Sequence, residues 1–190
     1  MDLADGAGAG ASCPAWADVN KILNIGCGRK RIDGAVNLDI SEGVGADVVH
    51  DLNRFPWPLP SDHFREVLAY DVIEHLPDVV PVMEEIYRVC RAGAHVHITV
   101  PHFSSANAFT DPTHRHQFSC FSFDYFGADH ALSFYSRARF TRSRAQIVFY
   151  PTPVNKLVHR LANRRPAEYE RRWAWMFPAW FLSIDLEARK

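Results

Sequence analysis

Several common sequence signals are missing from this chain of 190 residues, and each absence narrows what it can be. The four cysteines (Cys13, Cys27, Cys90 and Cys120) form no Cys-x-x-Cys pair, which argues against a zinc ribbon and favours reduced thiols. No segment approaches the ~20 apolar residues of a transmembrane helix. The beginning is acidic and Ala/Gly-rich, without the basic region and apolar core of a secretory signal. We therefore expect a cytoplasmic protein with no transmembrane segment.

A strong charge of either sign is also lacking, because 21 basic and 22 acidic residues give a net charge of −1. The charge is unevenly spread. Asp39 to Glu85 contains eleven acidic residues and two arginines, whereas Arg137 to Arg172 contains ten basic residues and two glutamates. The basic residues are dispersed and have no regular aromatic partners, so nucleic acid is not the expected partner. The uneven spread fits either solvated faces or a preference for an anionic acceptor.

Two apolar runs near the start of the chain end in residues that favour ligand binding. The run Lys21 to Ile25 ends in Gly26-Cys27-Gly28, and the run Val36 to Leu38 ends in Asp39. Both read as buried parallel strands, and glycine suits a turn where side chains would obstruct a ligand. Because ligands of open α/β sheets sit outside the carboxyl ends of the strands, the two strand ends predict a shared crevice.

The segment Asn24 to Gly28 resembles the first motif of class I S-adenosylmethionine-dependent methyltransferases, and Asp39 falls at the position of their ribose-binding acid. This sequence has Asn24 where the family usually has an acid, and Lys30 where it has a third glycine. Asp39 follows Gly28 by eleven residues, whereas a full crossover helix needs about twenty. The first crossover therefore has room for one turn of helix at most.

The resemblance continues to residue 101. The run Asp71 to Leu76, with its Glu-His-Leu, resembles the fourth motif of the small-molecule (methyltransferase type 11-like) branch, and Glu84 to Gly93 resembles the helix and glycine turn that follow. The resemblance implies a Rossmann-like, doubly wound, mostly parallel seven-stranded α/β sheet, with an antiparallel last strand and a shortened first crossover.

Local patterns predict where the elements lie. Residues 1–14 form a disordered tail, 15–20 a turn at the sheet edge, and 15–190 one domain. Strands are predicted at 21–26, 35–39, 46–51, 64–70 and 94–100, and helices at 78–91, 121–126, 153–163 and 167–177. A hairpin of residues 133–141 and 144–150, turning at Thr141 to Arg144, would supply the reversed last strand. Gly93 is predicted as a left-handed helix cap, and residues 153–190 as C-terminal helices.

The implied cofactor is S-adenosylmethionine. The glycines would allow close backbone approach to its amino-acid end, Asp39 would hold the ribose, and Asp51 with Leu52 would contact the adenine. Asp71 would lie beside the sulfonium. The full set of predicted cofactor residues is Asn24, Gly26, Cys27, Gly28, Asp39, Ile40, Asp51, Leu52, Asp71 and His75.

A long polar loop follows the fifth strand and, within an acceptor-side segment at 102–130, carries the candidates for catalysis: His102, Asp111, His114 and His116. A histidine suits a general base near neutral pH if the acceptor must lose a proton, and Asp111 could orient it. These side chains are also natural metal ligands, and a polar loop without chemistry is a third interpretation. We predict no metal site.

The C-terminal segment Trp173 to Phe181 is dense in aromatic residues, and Tyr169, Trp173 and Phe177 fall on one helical stripe. Core packing is the favoured interpretation. A lid over the acceptor, a homodimer surface and a membrane-surface helix are the alternatives.

The sequence thus predicts methyl transfer to a small, anionic or aromatic acceptor in biosynthesis. Two other functions stay open at this point. One is a non-catalytic cofactor-binding or partner subunit on the same fold, and the other is a metal-dependent enzyme that uses the His/Asp loop.

Overall fold

The computed structural model describes residues 21–190, so the predicted tail, the predicted turn at 15–20 and Cys13 lie outside the described residues. The strands are β1 (Ile22–Ile25), β2 (Val36–Asp39), β3 (Val48–Val49), β4 (Phe64–Tyr70), β5 (Cys90–Pro101), β6 (Phe140–Val148) and β7 (Phe181–Ala188). The α-helices are α1 (Val79–Val89), α2 (Asn107–Thr110), α3 (Pro153–Arg164) and α4 (Pro166–Arg172). Short 3₁₀ helices lie at Glu42–Val44, Ile73–His75, Ser122–Phe126 and Ser133–Tyr135.

The seven strands form one sheet in the order β3-β2-β1-β4-β5-β7-β6. The first five strands pair in parallel, and β7 runs antiparallel to both of its neighbours, β5 and β6. The predicted α/β sheet with a reversed last strand is therefore confirmed. Because β1, β4 and β5 are adjacent and parallel, their carboxyl ends meet at one edge, where the loops that carry chemistry collect.

The first crossover contains no helix, as its short length predicts. Buried asparagines hold it together instead. The Asn24 amide donates to Asn37 Oδ1 (3.0 Å) and to the carbonyl of Lys30 (3.1 Å). The Asn37 amide donates to the carbonyl of Ile32 and to Asp47 Oδ2 (2.9 Å). These bonds satisfy backbone groups that a helix would otherwise satisfy internally.

The larger part of the core lies on one face of the sheet, because the buried residues of β5 and β7 alternate with half-buried or exposed, mostly polar ones. Residues Leu23, Ile25 and Ile98 are almost fully buried in central strands. The α1 helix begins at the Asp78 cap, whose carboxylate accepts from the amide of Val80, and it buries the predicted stripe of Val82, Ile86 and Val89. At the edge of the sheet formed by β6, α3 is tied to that strand by Asn163. The Asn163 side chain accepts from the amide of Ile147 and donates to its carbonyl.

The predicted hairpin is wrong. Thr141 to Arg144, predicted as its turn, lies inside β6, where an irregularity between Arg142 and Arg144 shifts the register. The reversed last strand is instead β7, within a region predicted as helical to residue 190. The β7 residues alternate between half-buried and buried, with Leu182, Ile184, Leu186 and Ala188 facing the core. This period of two is a strand signal that was present in the sequence.

Gly93 has the predicted left-handed conformation, with φ of +72°, but it does not cap a helix. The helix ends at Val89, and β5 begins directly at Cys90, earlier than the predicted residue 94. Phe64 pairs with Cys90 whereas Glu66 pairs with His95, so β5 carries extra residues between those pairs. Gly93 therefore serves a bulge in β5, where a positive φ is common.

The C-terminal aromatic segment is only partly in the core. Tyr169 is buried and donates to the carbonyl of Phe177 (2.7 Å), but Trp173, Trp175 and Met176 are 46%, 70% and 66% exposed. The α4 helix ends at Arg172, so the helix predicted to residue 177 is shorter. The interpretation as core packing holds for Tyr169 and not for these three residues, and the homodimer surface stays a prediction. Among residues 21–190, no helix has both the length and the apolar character needed to cross a bilayer.

Candidate active site

A cavity of about 800 Å³ opens beside the carboxyl ends of β4 and β5. The β4 end contributes Tyr70 and Asp71, and the 3₁₀ helix that follows contributes Glu74 and His75. The remaining walls come from the end of β5, the 107–114 part of the polar loop, and the start of β7. The topology thus brings the fourth motif and the polar loop together, as the sequence predicts.

Two of the four predicted catalytic residues, Asp111 and His114, line this cavity. Asp111 is exposed, and its Oδ1 accepts hydrogen bonds from the amide and hydroxyl of Thr113 (2.8 and 2.7 Å). These bonds hold the pKa of Asp111 below its usual value, aided by His114 and His75. The His114 ring packs edge-on against the His75 ring, with centroids 4.7 Å apart. Asp111 therefore shapes the loop, while the His114 ring lies at the cavity wall.

His102 does not belong to this cavity. It is fully buried, with Nδ1 2.8 Å from Ser104 Oγ and Nε2 3.3 Å from Glu170 Oε1. Glu170 also accepts from Ser119 Oγ and from the amide of Cys120, both at 2.6 Å. Burial by itself would raise the pKa of Glu170, but the bonds from His102, Ser119 and Cys120 lower it. His102 is therefore part of a polar anchor between the loop and α4, and its prediction as a catalytic residue is corrected.

His116 likewise has a structural partner. Its Nε2 lies 2.9 Å from the carbonyl oxygen of Leu76, and the ring is half-buried outside the cavity. This bond ties the polar loop to the turn that follows β4. The predicted catalytic role of His116 is corrected to one of positioning the loop, because its ring is directed at the backbone.

Glu74 is the functional candidate that the sequence analysis missed. It lines the cavity, yet its side chain is only 1% exposed, and neither carboxylate oxygen has a hydrogen-bond partner among residues 21–190. Burial, with the charges of Asp71 and Asp111 nearby, raises the pKa of Glu74 to about 7. A carboxyl group that titrates near neutrality in a cleft is a common feature of functional sites. The sequence places Glu74 in the Glu-His-Leu run, but its burial without a hydrogen-bond partner is a property of the folded chain alone.

The predicted ribose-binding residue, Asp39, stands at the end of β2 beside the glycine turn. Its Oδ2 accepts from the amide of Gly28 (2.8 Å), and its Oδ1 accepts from the amide of Ser41 (2.9 Å). Since a carboxylate has about four acceptor positions, each oxygen retains capacity for a ribose hydroxyl. Next to it, the Ile40 side chain is 65% exposed. This geometry fits the nucleoside of S-adenosylmethionine.

The two motif glycines are needed for different physical reasons. A Cβ on Gly26 would lie 2.3 Å from Val72 Cγ2, so Gly26 lets Val72 pack against the turn. A Cβ on Gly28 would meet nothing within 4 Å, so the space beside Gly28 is open. Both have positive φ, +61° and +47°. The expected close approach of a ligand therefore suits Gly28, whereas the Cβ side of Gly26 is already filled by protein.

Several other predicted cofactor residues are internal. Asn24, Cys27 and Leu52 are at most 6% exposed, and the Asn24 amide is used within the crossover. The prediction that the Asn24 side chain contacts the cofactor is therefore corrected. Asp51 is half-buried at the end of β3 and accepts from the amide and side chain of Asn53 (3.0 and 2.9 Å).

Asp71 connects the two parts of the site. It adopts a positive φ of +54°, which is uncommon for a non-glycine residue, and its Oδ1 accepts from Thr99 Oγ1 (3.1 Å). Its Oδ2 lies 3.6 Å from Lys30 Nζ. Lys30, which replaces the third glycine of the motif, thus reaches from the first crossover to the cavity wall. Strained backbone at a strand end of this kind often marks a functional position.

Comparison with known proteins agrees with this arrangement. The family described as "Methyltransferase domain" matches residues 3–98, half of the chain. The chain belongs to this family. It is an S-adenosylmethionine-dependent methyltransferase, and S-adenosylmethionine is its cofactor.

Solved structures of other methyltransferases have the same fold. A SAM-dependent methyltransferase from Archaeoglobus fulgidus is 17% identical, with a TM-score of 0.62 over 92% of this chain and 88% of that one. One from Mesorhizobium loti is 16% identical, with a TM-score of 0.57 over 88% and 90%. A putative methyltransferase in complex with the Trm112 activator of Haloferax volcanii is 14% identical, with a TM-score of 0.56 over 90% and 85%. A comparison with curated protein sequences gives no significant match.

Proposed function

We propose that this methyltransferase methylates a small-molecule acceptor held in the cavity beside Asp71, Glu74 and His114. The observation that carries the proposal is the position of that cavity. It borders the end of β4 and the Lys30–Asp71 contact, so an acceptor there would lie next to the turn of Gly28 and Asp39. In-line methyl transfer requires the acceptor and the methyl donor to be adjacent, and much of the catalysis comes from that positioning.

We further propose that the cofactor lies along the ends of β1, β2 and β3. Asp39 would accept from the ribose hydroxyls, and Gly28 would let the backbone approach the amino-acid end. Asp51, half-buried one strand further out, would accept from the adenine amine. When bound, the cofactor supplies an electrophilic methyl group on a sulfonium. The carboxylate of Asp71 would favour that positive charge.

The walls of the cavity favour an aromatic acceptor. Lys30 supplies a cation at the rim, and Tyr70, Trp180 and Phe181 supply aromatic surface. A flat, apolar acceptor would pack on those rings, and an anionic group would be attracted by the ammonium of Lys30. Lys30 is outnumbered by the carboxyl groups of Asp71, Glu74 and Asp111, so an anionic group on the acceptor fits only beside Lys30.

His114 is the residue best placed to accept a proton from such an acceptor. Its side chain is only 8% exposed and lines the cavity, and its Nδ1 has no hydrogen-bond partner in the described part of the chain. A histidine in this state can take a proton as the methyl group is transferred. Glu74, whose Oε1 lies 4.0 Å from His114 Nε2, would stabilise the protonated ring.

The proposal is tested by assaying methyl transfer from labelled S-adenosylmethionine to a panel of anionic and aromatic acceptors. For a turned-over acceptor, we expect His114→Ala to lower kcat by about 100-fold, the usual contribution of a general base, with unchanged cofactor affinity. His95→Ala, at an exposed position in β5, is the matched control and should be without effect. Cofactor binding without turnover across the panel would instead support the non-catalytic subunit. Equal turnover in wild type and His114→Ala would remove His114 from the chemistry.

A further inference from the structure

Three potential ligand side chains converge at the cavity wall: Glu74, His75 and His114. Each offers one ligand atom, and the three atoms all lie within 4.8 Å of one another. Glu74 and His75 come from the 3₁₀ helix that follows β4, whereas His114 comes from the polar loop. Residues far apart in the chain are thus brought to one point facing the cavity.

Two members of this cluster have buried polar atoms without a hydrogen-bond partner among the described residues. Both oxygens of Glu74 and the Nδ1 of His114 are buried and make no hydrogen bond within residues 21–190. A buried carboxylate without a partner is costly, and buried charges in proteins are normally paired or coordinate a metal ion. The cluster therefore has buried, unpaired atoms that could act as metal ligands.

The third member, His75, is held in the form that a metal ion requires. Its Nδ1 lies 2.8 Å from Thr113 Oγ1, and that hydroxyl donates its proton to Asp111 Oδ1 at 2.7 Å. Because the hydroxyl has one proton, Thr113 Oγ1 accepts from Nδ1–H of His75, and the lone pair is left on Nε2. A hydrogen bond from the second ring nitrogen that fixes the tautomer is typical of metal-binding histidines.

We propose that Glu74, His75 and His114 bind a divalent transition-metal ion, with zinc as the best match. Two imidazoles and one carboxylate are a ligand set that zinc and neighbouring first-row metals accept. Ligand atoms about 2.0–2.2 Å from a tetrahedral zinc lie roughly 3–4 Å apart, so small side-chain rotations close the observed spacing. With three protein ligands, the remaining coordination position faces the cavity.

The role of the ion in methyl transfer depends on the proposed function, but its binding does not. In the metal-bound chain the lone pair of His114 is used as a ligand, so activation of an acceptor hydroxyl would pass from His114 to the ion. The open coordination position would be filled by an oxygen atom of the acceptor. The acceptor would therefore be a molecule with a hydroxyl or carboxylate group that can coordinate the ion. A bound divalent ion lowers the pKa of such a hydroxyl and orients it. Metal binding is measurable in the absence of any acceptor, so failure of one proposal is distinguishable from failure of the other.

The test uses the full chain, purified without a histidine tag, stripped with a chelator and dialysed against zinc. We expect about one zinc ion per chain by elemental analysis, and a visible absorption band when cobalt(II) replaces zinc. His114→Ala and the isosteric Glu74→Gln should each weaken binding by roughly 100-fold, since even outer partners of metal ligands cost about 10- to 100-fold.

His95→Ala and His97→Ala, in β5 and outside the cluster, are the controls and should bind as wild type does. Circular dichroism of each metal-free variant establishes that it is folded. Thermal melts give a second readout, because zinc should raise the Tm of wild type and of the controls but not that of Glu74→Gln. Wild-type chain that retains no zinc, or folded cluster variants that bind as tightly as wild type, would overturn the proposal.

Discussion

The carboxylates at the ends of β2 and β3 and the buried carboxyl group of Glu74 in the cavity differ in their hydrogen bonding. On the side of β1 to β3, Asp39 and Asp51 each accept hydrogen bonds from neighbouring backbone amides. On the cavity side, Glu74 is more deeply buried than either and accepts none. The carboxylates proposed to hold the cofactor are thus already fixed by backbone amides. Glu74 and His114, in the cavity, keep polar atoms that are free to bind a ligand.

The contrast suggests that cofactor binding and methyl transfer are carried out by different groups along the same edge of the sheet. Preformed carboxylates cost little to reorganise when a cofactor arrives, which favours affinity. A desolvated carboxyl and imidazole pair stores potential for proton transfer or metal binding and contributes little to stability. We therefore expect the carboxylates that accept backbone hydrogen bonds to bind the cofactor, and the buried groups without such bonds to take part in the chemistry.

The largest effect is expected from Asp39→Ala. Removing the carboxylate takes away the proposed ribose acceptors and releases the amide of Gly28, so affinity for S-adenosylmethionine should fall by about 100-fold, or ~2.7 kcal/mol. Isothermal titration calorimetry measures the change. Asp33→Ala, at an exposed position in the same crossover, is the control and should bind normally. An unchanged affinity in Asp39→Ala would remove Asp39 from the cofactor site.

An effect of similar size, on stability rather than on cofactor binding, tests the packing of Gly26. Gly26→Ala would bring a Cβ to 2.3 Å from Val72 at a φ of +61°, so we expect a loss of about 3 kcal/mol in the free energy of unfolding. Urea denaturation measures it. The double variant Gly26→Ala/Val72→Ala should lose less than the sum of the two single changes, because the clash is absent. Strict additivity would contradict the contact.

A moderate difference in stability is expected between variants of two glutamates of low exposure, Glu170 and Glu74. Glu170→Gln removes the charge that accepts from His102, Ser119 and Cys120, and should lower the free energy of unfolding by about 2 kcal/mol. Glu74→Gln, measured in chelator, should change it by less than ~0.5 kcal/mol, since no hydrogen bond is lost. Equal losses at both positions would contradict the account of Glu74.

The Glu170 effect should depend on pH in a defined direction. Because its pKa is lowered in the folded protein, its stabilisation is fully present above the ordinary carboxyl value of about 4.3. The stabilisation is lost as the pH falls through the folded pKa. The difference between wild type and Glu170→Gln should therefore shrink in acid. A difference that grows in acid would have the wrong sign.

A smaller loss of stability than that of Gly26→Ala is expected from Gly28→Ala. The side chain would enter open space at a φ of +47°, so about 1 kcal/mol should be lost from backbone strain alone. Cofactor affinity should fall more than stability does, because the added methyl group would occupy the space proposed for the cofactor. A variant that binds the cofactor normally would mean that this space is not used.

The fold was largely predictable because its signals are local. The strands before Gly26 and Asp39, the short crossover and the α1 stripe all follow from spacing and periodicity in single segments. The last strand was predicted in the wrong segment, because the aromatic residues before Phe181 have helical spacing whereas the strand alternation begins only at Phe181. A turn signal at Thr141 to Arg144 is weak when neighbouring strands pair across it.

The site was less predictable because its chemistry depends on contacts between distant segments. The role of Gly26 depends on Val72, that of His102 on Glu170, and that of His75 on Thr113. Composition and spacing supplied the candidate histidines, but only the tertiary contacts separate His114 from His102 and His116. Glu74 could not be selected from sequence, because burial without a partner is a property of the folded chain.

The most direct test of the two-part site is a crystal structure of the chain with S-adenosylhomocysteine. The account predicts ribose hydroxyls within about 2.6–3.2 Å of the Asp39 carboxylate and a sulfur atom that faces the cavity beside Asp71. A nucleoside bound away from Asp39, or a sulfur atom directed away from Glu74 and His114, would contradict it.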